Sequence, residues 1–256
     1  LGMFYYRLAN YFGGVPLVLE ELNATSNLSI PRASADEVWT QVEKDFTDAA
    51  SVLPVTWTND ADAGRATKLS ALAYLAKTHL WQQKYSDAVT NSEDIINAGV
   101  NDLLPDFRSV FLETNKNNKE LLFSTQYKAG TDGEGNNLAT RSAPRGASSE
   151  YTGAAAWSNF VPEPQWVNAY EKDGTGKSKD NRYWRTIIGP GEAHQDMPDF
   201  VMPANVPAGW SKTGYIVTKY WQQANINAQG VNPPLVRFAE VLTNYAEALN
   251  EVNRSE

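Results

Sequence analysis

The apolar positions of residues 69–96 fall into two stripes of helical period. Leu69, Leu72, Ala73, Ala76 and Leu80 recur at spacings of three and four, which puts them on one face of a 3.6-residue helix. After a short polar link, Tyr85, Ala88, Val89, Ser92, Ile95 and Ile96 form a second stripe. Thr67 stands where the first helix needs a cap, Gly64 where the chain must turn into it, and Gly99 where a left-handed residue would close the second. The spacing therefore predicts a helical hairpin over residues 67–98. Two such helices bury one face each against the other and leave the remaining faces in need of neighbours. Three further patterns supply them. Met3, Phe4, Leu8, Tyr11 and Phe12 lie in an opening helical pattern. Ser34 and Glu37 make a capping box ahead of Val38, Val42, Phe46, Ala49 and Leu53, and Pro54 stops that helix. Phe238, Val241, Leu242, Tyr245, Leu249 and Val252 line the last one.

The hairpin resembles a tetratricopeptide unit in its length and in its Tyr85 to Ala88 spacing, although the first helix lacks the Trp-x-x-Leu-Gly opening of that repeat. Residues 120–127 alternate Leu121, Phe123 and Thr125, which predicts a short strand. The composition then changes. Residues 128–151 are dominated by Gly, Ala, Ser, Thr and Asn, and residues 151–221 mix Pro and Gly with aromatics and keep no period. Irregular stretches of this length are either functional or disordered, and the aromatic content argues for order. Residues 214–221 read as a strand, and Pro233-Pro234 leads into the final helix.

The fold class expected is mainly α: a tetratricopeptide-like helical scaffold with a long, irregular, loop-rich insert and a few short strands. Residues 1–127 form the scaffold, 128–232 the ligand-binding insert and 233–256 a returning scaffold helix, all in one domain. Leu1 begins inside an amphipathic pattern and Glu256 follows closely on another, so both ends read as cuts through a larger protein.

Charge narrows the partners. With 22 basic and 30 acidic residues the net charge is -8, which repels a phosphate backbone, so nucleic acid is not an expected partner. Cysteine is absent, which removes disulfide and thiolate chemistry from these residues. No apolar run reaches the ~18 residues of a membrane-spanning helix, and no series of charged, apolar and small residues marks a signal peptide. His79 and His194 are too few for a zinc or serine-histidine arrangement. Asp132-x-Glu134-x-Asn136 departs from an EF-hand, with Asn137 in the place of the glycine and no acid at the twelfth position. Gly130-x-x-Gly133-x-Gly135 lacks the Lys-Ser/Thr pair of a phosphate loop. No metal, cofactor or catalytic residue is assigned. The paired acids Glu20-Glu21, Glu43-Asp45, Glu93-Asp94 and Glu247-Glu251, close in sequence or on shared helical faces, read as solvated surface rather than as the acid and base of a glycosidase.

Aromatic side chains carry the remaining signal. Trp57, Trp157, Trp166, Trp184, Trp210 and Trp221 lie outside the scaffold helices. Most are expected to pack the insert, because large rings supply apolar area where regular structure is sparse. Tyr151 and Trp157 are the exceptions: small residues surround them in Ser148-Ser-Glu-Tyr-Thr-Gly-Ala-Ala-Ala-Trp157 and leave their rings little local cover. They are the candidate platforms for a sugar ring, with Asn136 and Arg145 as candidate polar contacts. Trp166 and Tyr170, four apart in a short helix, are expected in the core.

The segments from Phe4-Tyr-Tyr-Arg-Leu-Ala-Asn-Tyr-Phe-Gly-Gly-Val-Pro-Leu-Val18 through Pro31-Arg32 and Gly64-Arg-Ala-Thr-Lys68 to Pro234-Leu-Val-Arg-Phe-Ala-Glu-Val-Leu-Thr-Asn-Tyr-Ala-Glu-Ala-Leu-Asn-Glu251 resemble the SusD/RagB family and occur in its order. Pro164-x-x-Val-x-x-Tyr170 and Lys172-Asp-Gly174 are weaker landmarks between them. The resemblance implies a lipid-anchored, non-enzymatic protein on the outer face of a Gram-negative outer membrane. Such a protein captures oligosaccharides or polysaccharides and delivers them to a SusC-type TonB-dependent transporter. The family's lipidated cysteine, signal peptide and C-terminal segment have no counterpart in these residues, so membrane contact is expected only through an anchor outside them. The alternative reading is a tetratricopeptide-like protein-interaction scaffold without sugar binding, and the third a helical glycoside hydrolase.

Overall fold

The computed structural model describes residues 1–26, 29–130, 132–147, 156–222 and 229–254. Its longer helices are α1 (Gly2–Phe12), α2 (Ala35–Val52), α3 (Lys68–Trp81), α4 (Tyr85–Asn97) and, last in the chain, α8 (Phe238–Arg254). Between them lie three short helices, α5 (Leu138–Ser142), α6 (Pro164–Asn168) and α7 (Asn181–Trp184). The strands are β1 (Leu121–Ser124), β2 (Ile187–Ile188), β3 (Ala193–His194), β4 (Met197–Val201), β5 (Ile216–Val217) and β6 (Pro234–Arg237), which pair as β1 with β6, β2 with β5 and β3 with β4. The chain divides into two compact units. One comprises Leu1–Leu103, Lys119–Phe123 and Pro234–Glu256, the other Leu104–Asn118 and Ser124–Pro233.

The first unit is the helical scaffold. Its helix starts form where local chemistry marks them. Ser34 Oγ accepts from the Glu37 amide at 3.2 Å while the Glu37 carboxylate accepts from the Ser34 amide at 2.8 Å. Thr67 and Ser70 exchange the same pair of bonds at 3.2 and 2.8 Å. Each cap satisfies amides that the first turn would otherwise orphan, which is worth about 1 kcal/mol. Gly64 turns the chain into α3 at φ +87°, and Gly99 closes α4 at φ +65° with its amide on the Ile96 carbonyl at 3.2 Å.

Helix α3 is the central rod. Residues Leu69 to Ala76 are all buried, because α2, α4 and α8 pack around it and its alanines let them come close. Val38, Val42 and Phe46 of α2 and Val241 of α8 complete this core. The Phe46 ring stacks on Tyr74 at 5.0 Å and 12°. Where the scaffold closes, Glu120 is buried, its carboxylate 2.9 Å from Arg237 Nη1, and its carbonyl accepts from the Phe238 amide at 2.8 Å. That pair fixes the strand to the start of α8.

Helix α1 corrects one expectation. Its buried face is Gly2, Tyr5 and Ala9, and the apolar row Phe4, Leu8, Tyr11 and Phe12 is exposed, Tyr11 at 79%. The close approach of α1 to α2 decides this. A Cβ on Gly2 would stand 3.0 Å from Asp45 Cβ, so the helices touch at that glycine, while Met3, Tyr5 and Tyr6 are the large side chains of α1 that reach the core.

The second unit is largely irregular. Ala139, Ala143, Ile188, Met197, Phe200, Met202, Ile216 and Trp221 form its main core, and Val167, Tyr183 and Ile187 a smaller one. Of the strand expected over residues 214–221, only Ile216 and Val217 form one, opposite Ile188 and Ile187. The Thr218 amide carries the same register one step further, donating to the Thr186 carbonyl at 2.7 Å. Trp166 is a second correction. It is 44% exposed although its ring lies 6.2 Å from Tyr170, because the single turn of α6 directs Val167 inward and its neighbour outward.

Candidate functional site

The short helix α5 ends with carbonyls that have no partner inside it. Residues 157–160 return along the helix and supply them. The Trp157 amide donates to Thr140 O at 2.9 Å, the Asn159 and Phe160 amides to Arg141 O at 2.7 and 3.3 Å, and the Ser158 amide to Ala143 O at 3.1 Å. Ser158 takes a left-handed φ of +53°, a value that costs an L-residue energy and persists where surrounding contacts enforce it. The enforcing contact here is the Arg145 amide, which donates to Ser158 Oγ at 2.6 Å. Trp157 is thus held by its backbone while the residue remains 43% exposed.

The ground beneath is rigid. Gly146 has φ +89°, and a Cβ there would come 2.7 Å from Trp210 Nε1, so the Trp210 ring lies directly on the Gly146 backbone. Trp210 stacks on Phe200 at 6.3 Å and 16°, Phe200 meets the buried Trp221 edge-on at 4.9 Å, and Trp221 meets His194 edge-on at 4.9 Å. The column ends on a buried guanidinium. Arg108 donates from Nε and Nη2 to Asp196 Oδ2 at 2.8 and 2.5 Å, from Nη2 to Trp221 O at 2.9 Å, and from Nη1 to Thr218 O at 3.1 Å and to Lys219 O. A buried cation satisfied at every nitrogen fixes the segments it joins.

The four sequence candidates fall in different places. Trp157 is an exposed platform, and the exposed Arg145 is tied to the same turn through Ser158. Asn136 has its side chain committed to the backbone: Oδ1 accepts from the Leu138 amide at 3.0 Å and Nδ2 donates to Val231 O at 2.8 Å. Tyr151 lies outside the described residues. Trp210 was not singled out from sequence as a platform, and the left-handed glycine that seats it is visible only as one Gly among many.

This face presents an indole plane with polar groups beside it, which suits stacking on the C–H face of a sugar ring. The carboxylates whose acidity is displaced move in one direction. Hydrogen bonds from Ser34, Lys119, Thr175 and Arg182 hold Glu37, Asp102, Asp173 and Asp180 below the usual carboxylate range. No group of three His, Asp or Glu gathers to hold a metal among the described residues, and no described helix is long and apolar enough to cross a membrane.

A concavity of about 300 Å³ lies in the same unit, between Lys172 and residues 176–178 on one side and Val167, Tyr183, Pro190, Glu192 and Tyr215 on the other. Sequence reasoning noted Lys172-Asp-Gly174 only as a landmark. The turn signature Asp173-Gly-Thr-Gly176, flanked by lysines, is the local sign of the hairpin that roofs it.

Residues 1–80 match a family model described as starch-binding and associating with the outer membrane, and residues 119–256 match the model of the SusD family. Two SusD-like proteins of Formosa agariphila are similar throughout. One is 26% identical, covering 98% of this chain and 51% of its own, and the other is 27% identical, covering 97% and 50%. The chain spans about half the length of these curated relatives. Among solved structures, a SusD-like carbohydrate-binding protein from Bacteroides fragilis superposes with a TM-score of 0.80 at 27% identity, over 98% of this chain and 53% of that one. A laminarin-binding SusD-like protein shares the fold at 23% identity and a TM-score of 0.79, over 97% and 57%.

Proposed function

The chain belongs to the SusD family, and from that premise we propose that it captures oligosaccharides at the outer-membrane surface and passes them, without a catalytic step, to a SusC-type TonB-dependent transporter. The observation that carries the reading for this chain is the half-exposed Trp157 indole on a backbone clamped to α5. A relative whose solved structure is described as carbohydrate-binding supports it. Stacking on one such ring contributes ~0.5–1.5 kcal/mol beyond burial. With several polar contacts at ~1 kcal/mol each, the sum corresponds to micromolar to millimolar affinity, and weak capture suits a protein that must release its cargo. Lipid anchoring and the transporter partner follow from the family and are part of the proposal.

Calorimetry of the full-length protein against a panel of neutral oligosaccharides tests it. At least one should bind, and Trp157→Ala should weaken that ligand about 2- to 13-fold, the stacking contribution expressed as an affinity ratio. Unchanged affinity removes Trp157 from the site, and a panel without a ligand removes the glycan reading. The exposed apolar row of α1 favours a second role, contact with a protein partner. Co-purification of a SusC-type transporter in the absence of any sugar affinity would make that role the main one.

A further inference from the structure

We propose that Trp166, Tyr170 and the Asp180–Arg182 pair form a second stacking site, for one neutral pyranose ring, separate from the Trp157 turn. The inference rests on the glycan-binding reading and adds to it a platform and the residues that read the ring's hydroxyls.

A single helical turn sets the platform. Pro164 opens α6, the Val167 amide donates to Glu163 O at 3.2 Å, and the turn sends Val167 into the smaller core of the unit. Its neighbour Trp166 is then on the outside. That residue is 44% exposed, more than the backbone of a helical residue can supply, so indole surface reaches water. One turn further on stands Tyr170, whose ring lies 6.2 Å from that of Trp166 at 50° and meets the buried Tyr183 edge-on at 5.4 Å. Tyr183 meets Trp184 edge-on at 4.9 Å, and Trp184 Nε1 donates to Ser178 O at 3.0 Å. Two tilted rings are thus braced from the core side, and the C–H face of a sugar ring packs on an aromatic plane of this kind.

An exposed indole alone does not select a sugar, since single surface aromatics are common. The polar groups beside Tyr170 narrow the ligand class. Asp180 caps α7 by accepting from the Arg182 amide at 2.8 Å, and its carbonyl accepts from the Tyr183 amide at 3.1 Å. Its carboxylate also holds the Arg182 guanidinium, with Nε 3.0 Å from each oxygen and Nη2 2.5 Å from Oδ2. Both charges bear on the Tyr170 hydroxyl: burial first raises its pKa, Asp180 adds to the rise and Arg182 opposes it. The pair therefore stands at the edge of the platform. Nε–H and one Nη2–H of Arg182 are spent on Asp180, and the remaining guanidinium N–H groups find no protein acceptor among the described residues. A guanidinium whose charge is balanced and whose fork is fixed offers directed donors rather than net charge, which suits the hydroxyls of a neutral ring.

The test is fluorine NMR of the chain labelled with 5-fluorotryptophan, titrated with maltohexaose, cellohexaose and laminarihexaose. The Trp166 resonance, identified by its loss in Trp166→Phe, should move with at least one of them while that of the buried Trp221 stays in place. Added salt should leave the response unchanged, because neither the ring nor the balanced pair carries net charge. Arg182→Gln removes donors at an exposed position and should weaken the Trp166 response roughly fivefold, leaving that of Trp157 as it was. A Trp166 resonance that ignores all three sugars while Trp157 responds overturns the second site and leaves the broader glycan reading standing. Silence of both resonances removes the two together. A Trp166 response that Arg182→Gln does not weaken, or one that salt strongly reduces, also overturns the assignment.

Discussion

His194 should make the second unit acid-sensitive, with a magnitude that follows from its surroundings. The ring is 1% exposed. Burial first, and then the Arg108 guanidinium, push its pKa down from 6.5 to about 4, partly opposed by Asp196. Its Nδ1 accepts from the Asp196 amide at 3.1 Å, so the neutral ring is the form the fold accommodates. A group whose folded pKa lies below its unfolded value leaves the unfolded chain holding more protons between the two. Stability is then full above about pH 6.5 and falls as the pH drops toward 4. The slope is about 1.4 kcal/mol per pH unit for one proton, which gives a loss of about 2 kcal/mol between pH 7 and pH 5. Urea unfolding followed by tryptophan fluorescence reads this unit well, because the Trp221 ring is 4.9 Å from His194. His194→Asn keeps an acceptor for the Asp196 amide and lacks the titration. The variant loses packing at every pH, and the other histidine, His79, titrates alike in both proteins. The difference between wild type and variant should therefore shrink by about 2 kcal/mol from pH 7 to pH 5. A difference that stays constant would refute the claim that a buried neutral histidine sits in this column.

Other perturbations follow from particular contacts. Ser34→Ala removes one half of a capping box and should cost the scaffold about 1 kcal/mol in chemical unfolding, with a loss under a few tenths showing that the cap is dispensable. Arg108→Met leaves Asp196 and three backbone carbonyls without their donor and should destabilise the second unit by about 3–5 kcal/mol; a cost below ~1 kcal/mol would mean that the guanidinium is not the tie described. Trp157→Ala, by contrast, removes an exposed ring and should change stability by no more than ~0.5 kcal/mol, which separates its binding role from any folding role when both are measured on one sample.

The scaffold was legible because its signals are local. Capping pairs at Ser34 and Thr67, the glycine at 99 and the period of residues 69–96 each act within a turn or two of chain, and the helices form where those signals stand. Which face of a helix is buried is not a local matter. In α1 most of the apolar row, Phe4, Leu8, Tyr11 and Phe12, faces away while Gly2, Tyr5 and Ala9 are buried, because the face is set by which side chains meet α2 and α3 and not by the row's own period. The irregular unit kept its sequence signals only in part. Small residues around Trp157 marked it as uncovered, and it is. The same reasoning cannot reach Asn136, whose side chain is taken up by a backbone carbonyl 95 residues away.

The sequence by itself determined where helices start and stop, that the middle of the chain holds aromatics without a period, and the family to which the motifs point, since all of these are written in neighbouring residues. Only the tertiary structure decided which tryptophans face water and which carboxylates are held by hydrogen bonds or ion pairs. Exposure and free charge are sums over everything packed against a group, and most of those neighbours are distant in the chain.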